Sequence, residues 1–155
     1  MTALRARARS VLRGERGSAI VEFVILAVVV FVPLTYGVIA FAAIQRAVFA
    51  STEAARQAGR AYGTAPDPSA ADQRAEYAAV LAVESQGVEP TDVAVWAAPA
   101  SSSCEDDAVR YVPSLAPAEQ FVVCVQVTIR VPLIPEFITS NTSTGRYVVT
   151  MDHFR

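Results

Sequence analysis

The feature that most constrains the fold is an apolar run of 22 residues, from Phe23 to Ile44, that contains no charged side chain. An α-helix rises 1.5 Å per residue, so this run would form a helix of about 33 Å. The hydrocarbon core of a bilayer is about 30 Å thick. Backbone polar groups find no water there, and a single segment can satisfy them only as a helix. The run therefore predicts one membrane-spanning helix, in which Pro33 is tolerated.

Charge is distributed unequally on the two sides of this run. All 13 basic residues are arginines, and five of them lie within residues 1–16 together with a single acid. Residues 17–155 carry eight arginines and fourteen acids. By the positive-inside rule, the arginine-rich segment stays in the cytoplasm and the chain beyond about residue 47 lies outside. Nucleic-acid binding needs basic charge on a folded face, so no nucleic-acid partner is predicted.

A secretory signal peptide is an alternative explanation of the apolar run. Such peptides have an apolar region of about 7–15 residues, followed by a small-residue cleavage site. Ala40 and Ala42 flank Phe41 in that pattern, so cleavage near Ala42 is an open alternative. The run is longer than a signal peptide requires, which favours a retained membrane helix.

One acid, Glu22, immediately precedes the apolar run. An acid at such a position is costly and is a functional candidate by default, although a residue at the cytoplasmic rim can also snorkel into the headgroups. The sequence Arg16-Gly17-Ser18, with Glu22 and Phe23 following, resembles the prepilin-peptidase site of type IV pilins. In that family a basic leader ends in Gly, and the fifth residue of the mature chain is Glu. The resemblance implies cleavage between Gly17 and Ser18, and an assembly role for Glu22 and Phe23.

Residues 13–62 are similar to the TadE-like family, the minor pseudopilins of tight-adherence (Tad/Flp, type IVc) pili. The similarity extends from the cleavage motif through the Pro33-Leu34 pair to the Ala-rich segment 53–61. A TadF-like sibling is an alternative. The resemblance implies that the partners are the prepilin peptidase, other pilins and pseudopilins, the Tad secretion machinery and the lipid bilayer. It also implies a single-pass protein of the inner (cytoplasmic) membrane with a cytoplasmic N-terminus, and the pilus is a further possible location.

The chain beyond the membrane helix predicts an α+β fold. We expect a basic leader at 1–17, a transmembrane and extended pilin-like helix at 18–63, and an extracytoplasmic α+β domain at 64–155. Gly63 is a plausible end for the long helix. A second helix is predicted from Ser69, as its N-cap, to about Gln86, with Gly87 ending it.

Alternation of apolar and polar residues then predicts three strands, at 92–97, 119–131 and 146–154. In the second of them, the odd-numbered residues from Phe121 to Val131 form one apolar face. We expect the second helix to pack its Ala/Val face on a small antiparallel sheet of three or four strands. Residues 133–138 form an apolar loop that either covers the core or contacts another subunit.

Cys104 and Cys124 are the only two cysteines. In an extracytoplasmic domain they favour a disulfide, and two free buried thiols are the alternative. Closing a loop of about 20 residues would contribute roughly 3 kcal/mol in the entropic treatment of cross-links.

The remaining polar residues do not form a recognisable catalytic pattern. The acids Glu105, Asp106 and Asp107 lie in a Ser-rich stretch and are more typical of a solvated loop than of a metal site. His153 has only Asp152 beside it, and neighbours on a strand face opposite sides. We therefore predict no enzyme activity, no cofactor and no metal.

Two functions are compatible with the sequence. The first is a minor pseudopilin that is processed after Gly17 and takes part in pilus assembly. The second is a permanently anchored extracytoplasmic binding domain, in which Glu22 is only a rim residue. A secreted enzyme would require cleavage near Ala42 and a catalytic cluster.

Overall fold

The structure is a computed structural model that describes residues 2–89, 93–105, 110–129 and 142–152, with side chains described from residue 19 onward. The described residues form two helices and three strands, which are in chain order α1 (Thr2–Thr64), α2 (Pro68–Ser85), β1 (Val93–Pro99), β2 (Gln120–Thr128) and β3 (Thr142–Thr150). The predicted α+β class is confirmed, with a long N-terminal apolar helix, a second helix and a small antiparallel sheet.

Several predicted features fall outside the described residues. They are the side chain of Ser18, the acids Asp106 and Asp107, the apolar loop 133–138, His153, and the predicted strand ends at Asp92, Val131 and Phe154.

The first helix is one continuous element of 63 residues. It begins at Thr2 and includes the predicted leader, which is rich in Ala, Arg and Leu, all strong helix formers. It continues through Pro33. It ends at Thr64, one residue beyond the predicted Gly63. The hydroxyl of Thr64 donates to the carbonyl of Arg60 at 3.1 Å and so satisfies an acceptor of the last turn.

The chain divides into two compact units, residues 1–40 and residues 41–155. The first unit contains most of the apolar run, whose side chains are largely exposed. The second unit contains the remainder of α1, together with α2 and the sheet. This part of α1 contributes to the hydrophobic core of the α+β unit.

The character of α1 changes at Ala47. From there to Tyr62 the helix has one buried stripe of mostly small residues at spacings of three and four, which places them on one face. The stripe consists of Ala47, Ala50, Ser51, Ala54, Ala55, Ala58, Gly59 and Tyr62. Small side chains allow the helix axis to come close to the sheet.

The closest approach is between α1 and β3. A Cβ atom at Gly145 would overlap the backbone carbonyl of Ser51, so only glycine fits at this position. The hydroxyls of Ser51 and Ser143 are 3.0 Å apart and share a hydrogen bond beside this contact. A Cβ at Gly59, on the helix side, would in turn overlap the ring of Tyr147.

The sheet has the order β1-β2-β3 among the described residues, and both pairings are antiparallel. The odd-numbered residues of β2 lie on the side that packs with the helices, and Phe121 is fully buried there against Tyr62, at 5.5 Å between ring centroids. The even-numbered residues Val122 and Cys124 lie on the opposite side with Trp96. The alternation predicted for β2 is confirmed.

The third strand differs from its prediction in position. It runs from Thr142 to Thr150, four residues before the predicted span of 146–154. The register follows from the helix contact, because Gly145 is the strand residue that tolerates the backbone of Ser51 at close range.

The second helix is capped by Asp67 and not by the predicted Ser69. A carboxylate oxygen of Asp67 accepts from the backbone N–H of Ala70 at 2.9 Å, and Pro68 occupies the first helical position, where its missing N–H has no cost. The hydroxyl of Ser69 donates to Asp67 instead. The α2 side chains buried in the core are Ala71, Ala75, Ala79, Ala82 and Val83.

The end of α2 is as predicted. Gly87 has a positive φ of 69°, the left-handed conformation that favours glycine. Its N–H donates to the carbonyl of Glu84 at 2.9 Å, and the N–H of Val88 donates to that of Val83 at 3.4 Å. This pair of bonds is a Schellman motif, and it directs the chain away from the helix at Gly87.

The helix–strand contact predicts that two glycine substitutions differ in their effect on the free energy of unfolding. Gly145→Ala should lower the free energy of unfolding by about 2 kcal/mol or more, because the added methyl meets backbone and not a movable side chain. Gly63→Ala is the matched control. Nothing lies within 4 Å of the position its Cβ would take, so it should be neutral or stabilising by about 0.5–1 kcal/mol.

Denaturant unfolding of the full chain in detergent micelles, followed by the fluorescence of the single tryptophan, measures both changes. Equal stability of the two variants would contradict the close packing of α1 on β3.

Candidate functional site

The apolar segment of α1 is the first candidate site. Among the described residues one helical segment, Ala19–Thr64, is long and apolar enough to cross a membrane, and none of its most apolar window is buried. Phe23 and Phe31 are each more than 60% exposed. A contiguous apolar surface of this size requires cover by lipid or by protein. The predicted capacity to span a bilayer is confirmed, whereas the sidedness of the N-terminus stays a prediction.

The predicted processing bond lies in the helical backbone of α1, between Gly17 and Ser18. Glu22 is four residues after Ser18, about 6 Å along the helix axis and on nearly the same face. Both Glu22 and Phe23 are exposed. The structure thus places Ser18, Glu22 and Phe23 within a little more than one turn of a continuous helix.

The carboxylate of Glu22 has no hydrogen-bond or ion-pair partner among the described residues. It stands immediately before 22 residues without a charge. An ionised carboxylate at the edge of an apolar medium is costly unless a cation pairs with it.

The predicted disulfide between Cys104 and Cys124 is present. Its Cα atoms are 5.7 Å apart, within the usual range of Cα–Cα distances for disulfides, and both residues are almost completely buried. The bond holds the segment after β1 against the outer side of the sheet, where Trp96 and Val122 complete a small apolar cluster. Its role is to stabilise the α+β unit.

The carboxylate of Glu119 is an organising group that the sequence did not indicate, beyond placing Glu119 at the start of a strand. It accepts hydrogen bonds from the hydroxyl of Tyr111, from the N–H and hydroxyl of Ser114 at 3.1 and 2.7 Å, and from the N–H of Ala116 at 3.0 Å. No sequence pattern predicts this cluster, because half of the donors are backbone groups of an irregular loop.

These hydrogen bonds shift the pKa values of Glu119 and Tyr111 in opposite directions. Desolvation raises the pKa of Glu119, but the hydrogen bonds from Tyr111, Ser114 and Ala116 outweigh it and lower the pKa to about 2. The hydrogen bond to Glu119 raises the pKa of Tyr111 in turn. Glu119 is therefore an ionised clasp that fixes the loop 111–119.

A second polar contact joins the two helices. The hydroxyl of Tyr62, near the end of α1, donates to a carboxylate oxygen of Asp72 in α2. Burial of the ring, and then this hydrogen bond, raise the pKa of Tyr62. Tyr62 therefore remains a neutral donor throughout the physiological pH range.

Within the described residues no group of three or more His, Cys, Asp or Glu side chains is arranged to hold a metal ion. Comparison of the chain with protein-family models, with curated proteins and with solved structures finds no match.

The Glu119 clasp predicts a specific pH dependence. The folded pKa lies below the ordinary value, so the stabilisation is fully present above about pH 4.5 and is lost as the pH falls from about 4.5 to 2. Glu119→Gln should lower the melting temperature at pH 6, and its difference from the unchanged protein should shrink towards pH 2. Thermal melts of the full chain at several pH values measure this difference.

Glu84→Gln, which removes an exposed acid of α2, is the control and should cause no such pH-dependent difference. A deficit of Glu119→Gln that stays constant from pH 6 to pH 2 would mean that the charge of Glu119 is not what stabilises the loop.

Proposed function

We propose that the protein is a minor pseudopilin of the TadE-like type, which takes part in the assembly of a tight-adherence type IV pilus. The single observation that carries the proposal is Glu22, an exposed carboxylate at the fifth position after Gly17 and at the start of the apolar run, with no hydrogen-bond or ion-pair partner among the described residues. A basic leader before Gly17 and an α+β unit after the apolar run support it.

The first step is processing of the leader. Prepilin peptidase hydrolyses the peptide bond between Gly17 and Ser18 on the cytoplasmic face of the membrane. Water is consumed, Gly17 leaves with a new carboxylate, and Ser18 gains a free ammonium group. The basic leader is then separated from the apolar helix, and the cut chain begins with a positive charge one helical turn before Glu22.

The second step is the pairing of subunits. The new ammonium of one subunit binds Glu22 of a neighbour, so that each carboxylate gains a cationic partner. A buried polar pair of this kind sets the register between helices, as single polar residues do in coiled coils. Phe23, exposed beside Glu22, packs against the neighbouring helix at the same level.

The third step is exit from the bilayer. The exposed apolar surface of α1 exchanges lipid for equivalent surfaces of other pilin helices, and the apolar contact area is retained. The α+β unit, held together by the packing of α1 on β3 and by the disulfide, remains outside. It gives this subunit a globular surface at the priming or tip end of the filament.

Substitution of Glu22 separates processing from assembly. Glu22→Ala should leave cleavage after Gly17 intact, because the scissile bond is unchanged, and should reduce incorporation into pili at least about tenfold. Loss of one partner of a buried charge pair costs several kcal/mol, more than a tenfold effect requires. Immunoblots of the sheared pilus fraction and of the membrane fraction measure the two outcomes.

Glu84→Ala is the matched control, since it removes an exposed acid from α2 and should leave both outcomes unchanged. Glu22→Asp keeps the charge and should restore part of the incorporation. Normal pili in the Glu22→Ala strain would refute the assembly role and would favour a permanently anchored binding domain.

A further inference from the structure

A cavity of about 240 Å³ lies in the α+β unit where α1, the turn after α2 and the end of β2 meet. Its lining residues are Ala43, Arg46, Ala47, Gly87, Val88, Glu89 and Thr128. The wall is apolar at the two alanines and at Val88, and Thr128 adds one hydroxyl. The pseudopilin proposal uses none of these residues.

The position of the cavity along α1 indicates its depth relative to a bilayer. Arg46 is two residues after Ile44, the last residue of the apolar run, and therefore about 3 Å further along the helix axis. The headgroup region extends roughly 5–7 Å beyond the hydrocarbon core on each side. When α1 spans a membrane, Arg46 and the cavity that it lines lie at the level of the lipid headgroups.

Two opposite charges line this cavity, Arg46 on α1 and Glu89 after α2. Both side chains are exposed, and among the described residues neither forms an ion pair, the single such pair being Arg56 with Glu53. The positive φ of Gly87 directs the chain out of α2 and brings Glu89 to the cavity. The cavity therefore offers a guanidinium and a carboxylate to one ligand.

We propose that this cavity binds the headgroup of a phospholipid that carries both a phosphate and a primary ammonium, as a phosphatidylethanolamine does. The guanidinium of Arg46 binds the phosphate, for which its planar donors are well suited. The carboxylate of Glu89 accepts from the ammonium. The apolar wall contacts the carbon atoms between the two charges. The inference rests on insertion of α1 into a bilayer and not on a role in pili.

Binding is measured on the full-length chain, labelled with ¹⁵N-glycine, in maltoside micelles. The chain has seven glycines. Gly87 lines the cavity and reports on it, whereas Gly37, within the apolar run, reports on general lipid uptake. We expect the Gly87 amide resonance to shift saturably with dihexanoyl-phosphatidylethanolamine. Dihexanoyl-phosphatidylglycerol, which lacks the ammonium, should bind about tenfold more weakly.

Two pairs of variants test which lipid group each of the two charged residues binds. Arg46→Gln should weaken binding of both lipids about tenfold or more, the size expected for a lost charged hydrogen bond. Glu89→Gln should weaken only the phosphatidylethanolamine and so remove the preference. Arg56→Gln on α1 and Glu84→Gln on α2 make the same charge changes outside the cavity and should bind both lipids as the unchanged protein does.

The proposal is overturned if the Gly87 resonance does not respond to the lipid, or if Arg46→Gln and Arg56→Gln bind alike. It is also overturned if inorganic phosphate or O-phosphoethanolamine shifts Gly87 at the same concentrations as the lipid, since the ligand would then be a soluble phosphate compound. Each outcome is independent of leader cleavage and of pilus formation, so it does not depend on the function proposed above.

Discussion

The structure depends on one constraint, namely that a single continuous helix must suit two different environments. From Phe23 to Ile44 the helix exposes large apolar side chains and carries no charge, which suits a bilayer or other apolar helices. From Ala47 the same helix has one buried stripe of small residues that contributes to a hydrophobic core. The change between these two surfaces takes less than one helical turn.

Close packing of that second half requires small residues on both sides of the contact. Gly145 admits the backbone of Ser51, and Gly59 admits the ring of Tyr147. The other side of the sheet has little helix to cover it, and the disulfide between Cys104 and Cys124 closes a loop over it instead. A core of this size gains much from such a cross-link. Helix packing therefore stabilises one side of the sheet, and the disulfide stabilises the other.

The features that the sequence predicted well are those with a strong local pattern. The uncharged run predicted a helix that is long and apolar enough to span a membrane, the alternation from Phe121 predicted β2, and Gly87 predicted the end of α2, because each of these patterns is local in the chain. The features that it missed depend on contacts that no periodicity describes, some of them distant in the chain and some within one loop. The close approach of β3 to α1 joins Gly145 to Ser51, which precedes it by 94 positions. The clasp of Glu119 depends on loop backbone that no periodicity describes. Ser69 fitted the capping pattern, but the preceding Asp67-Pro68 pair suits the helix start better.

The processed N-terminus of the membrane-inserted protein tests the pseudopilin account most directly. The chain is isolated from cells with and without the cognate prepilin peptidase, and the mass of its N-terminal peptide is determined. We predict that the peptidase removes residues 1–17 and that the mature chain begins at Ser18, while Gly17→Ala keeps the leader. An intact arginine-rich leader in cells that contain the active peptidase would contradict the account.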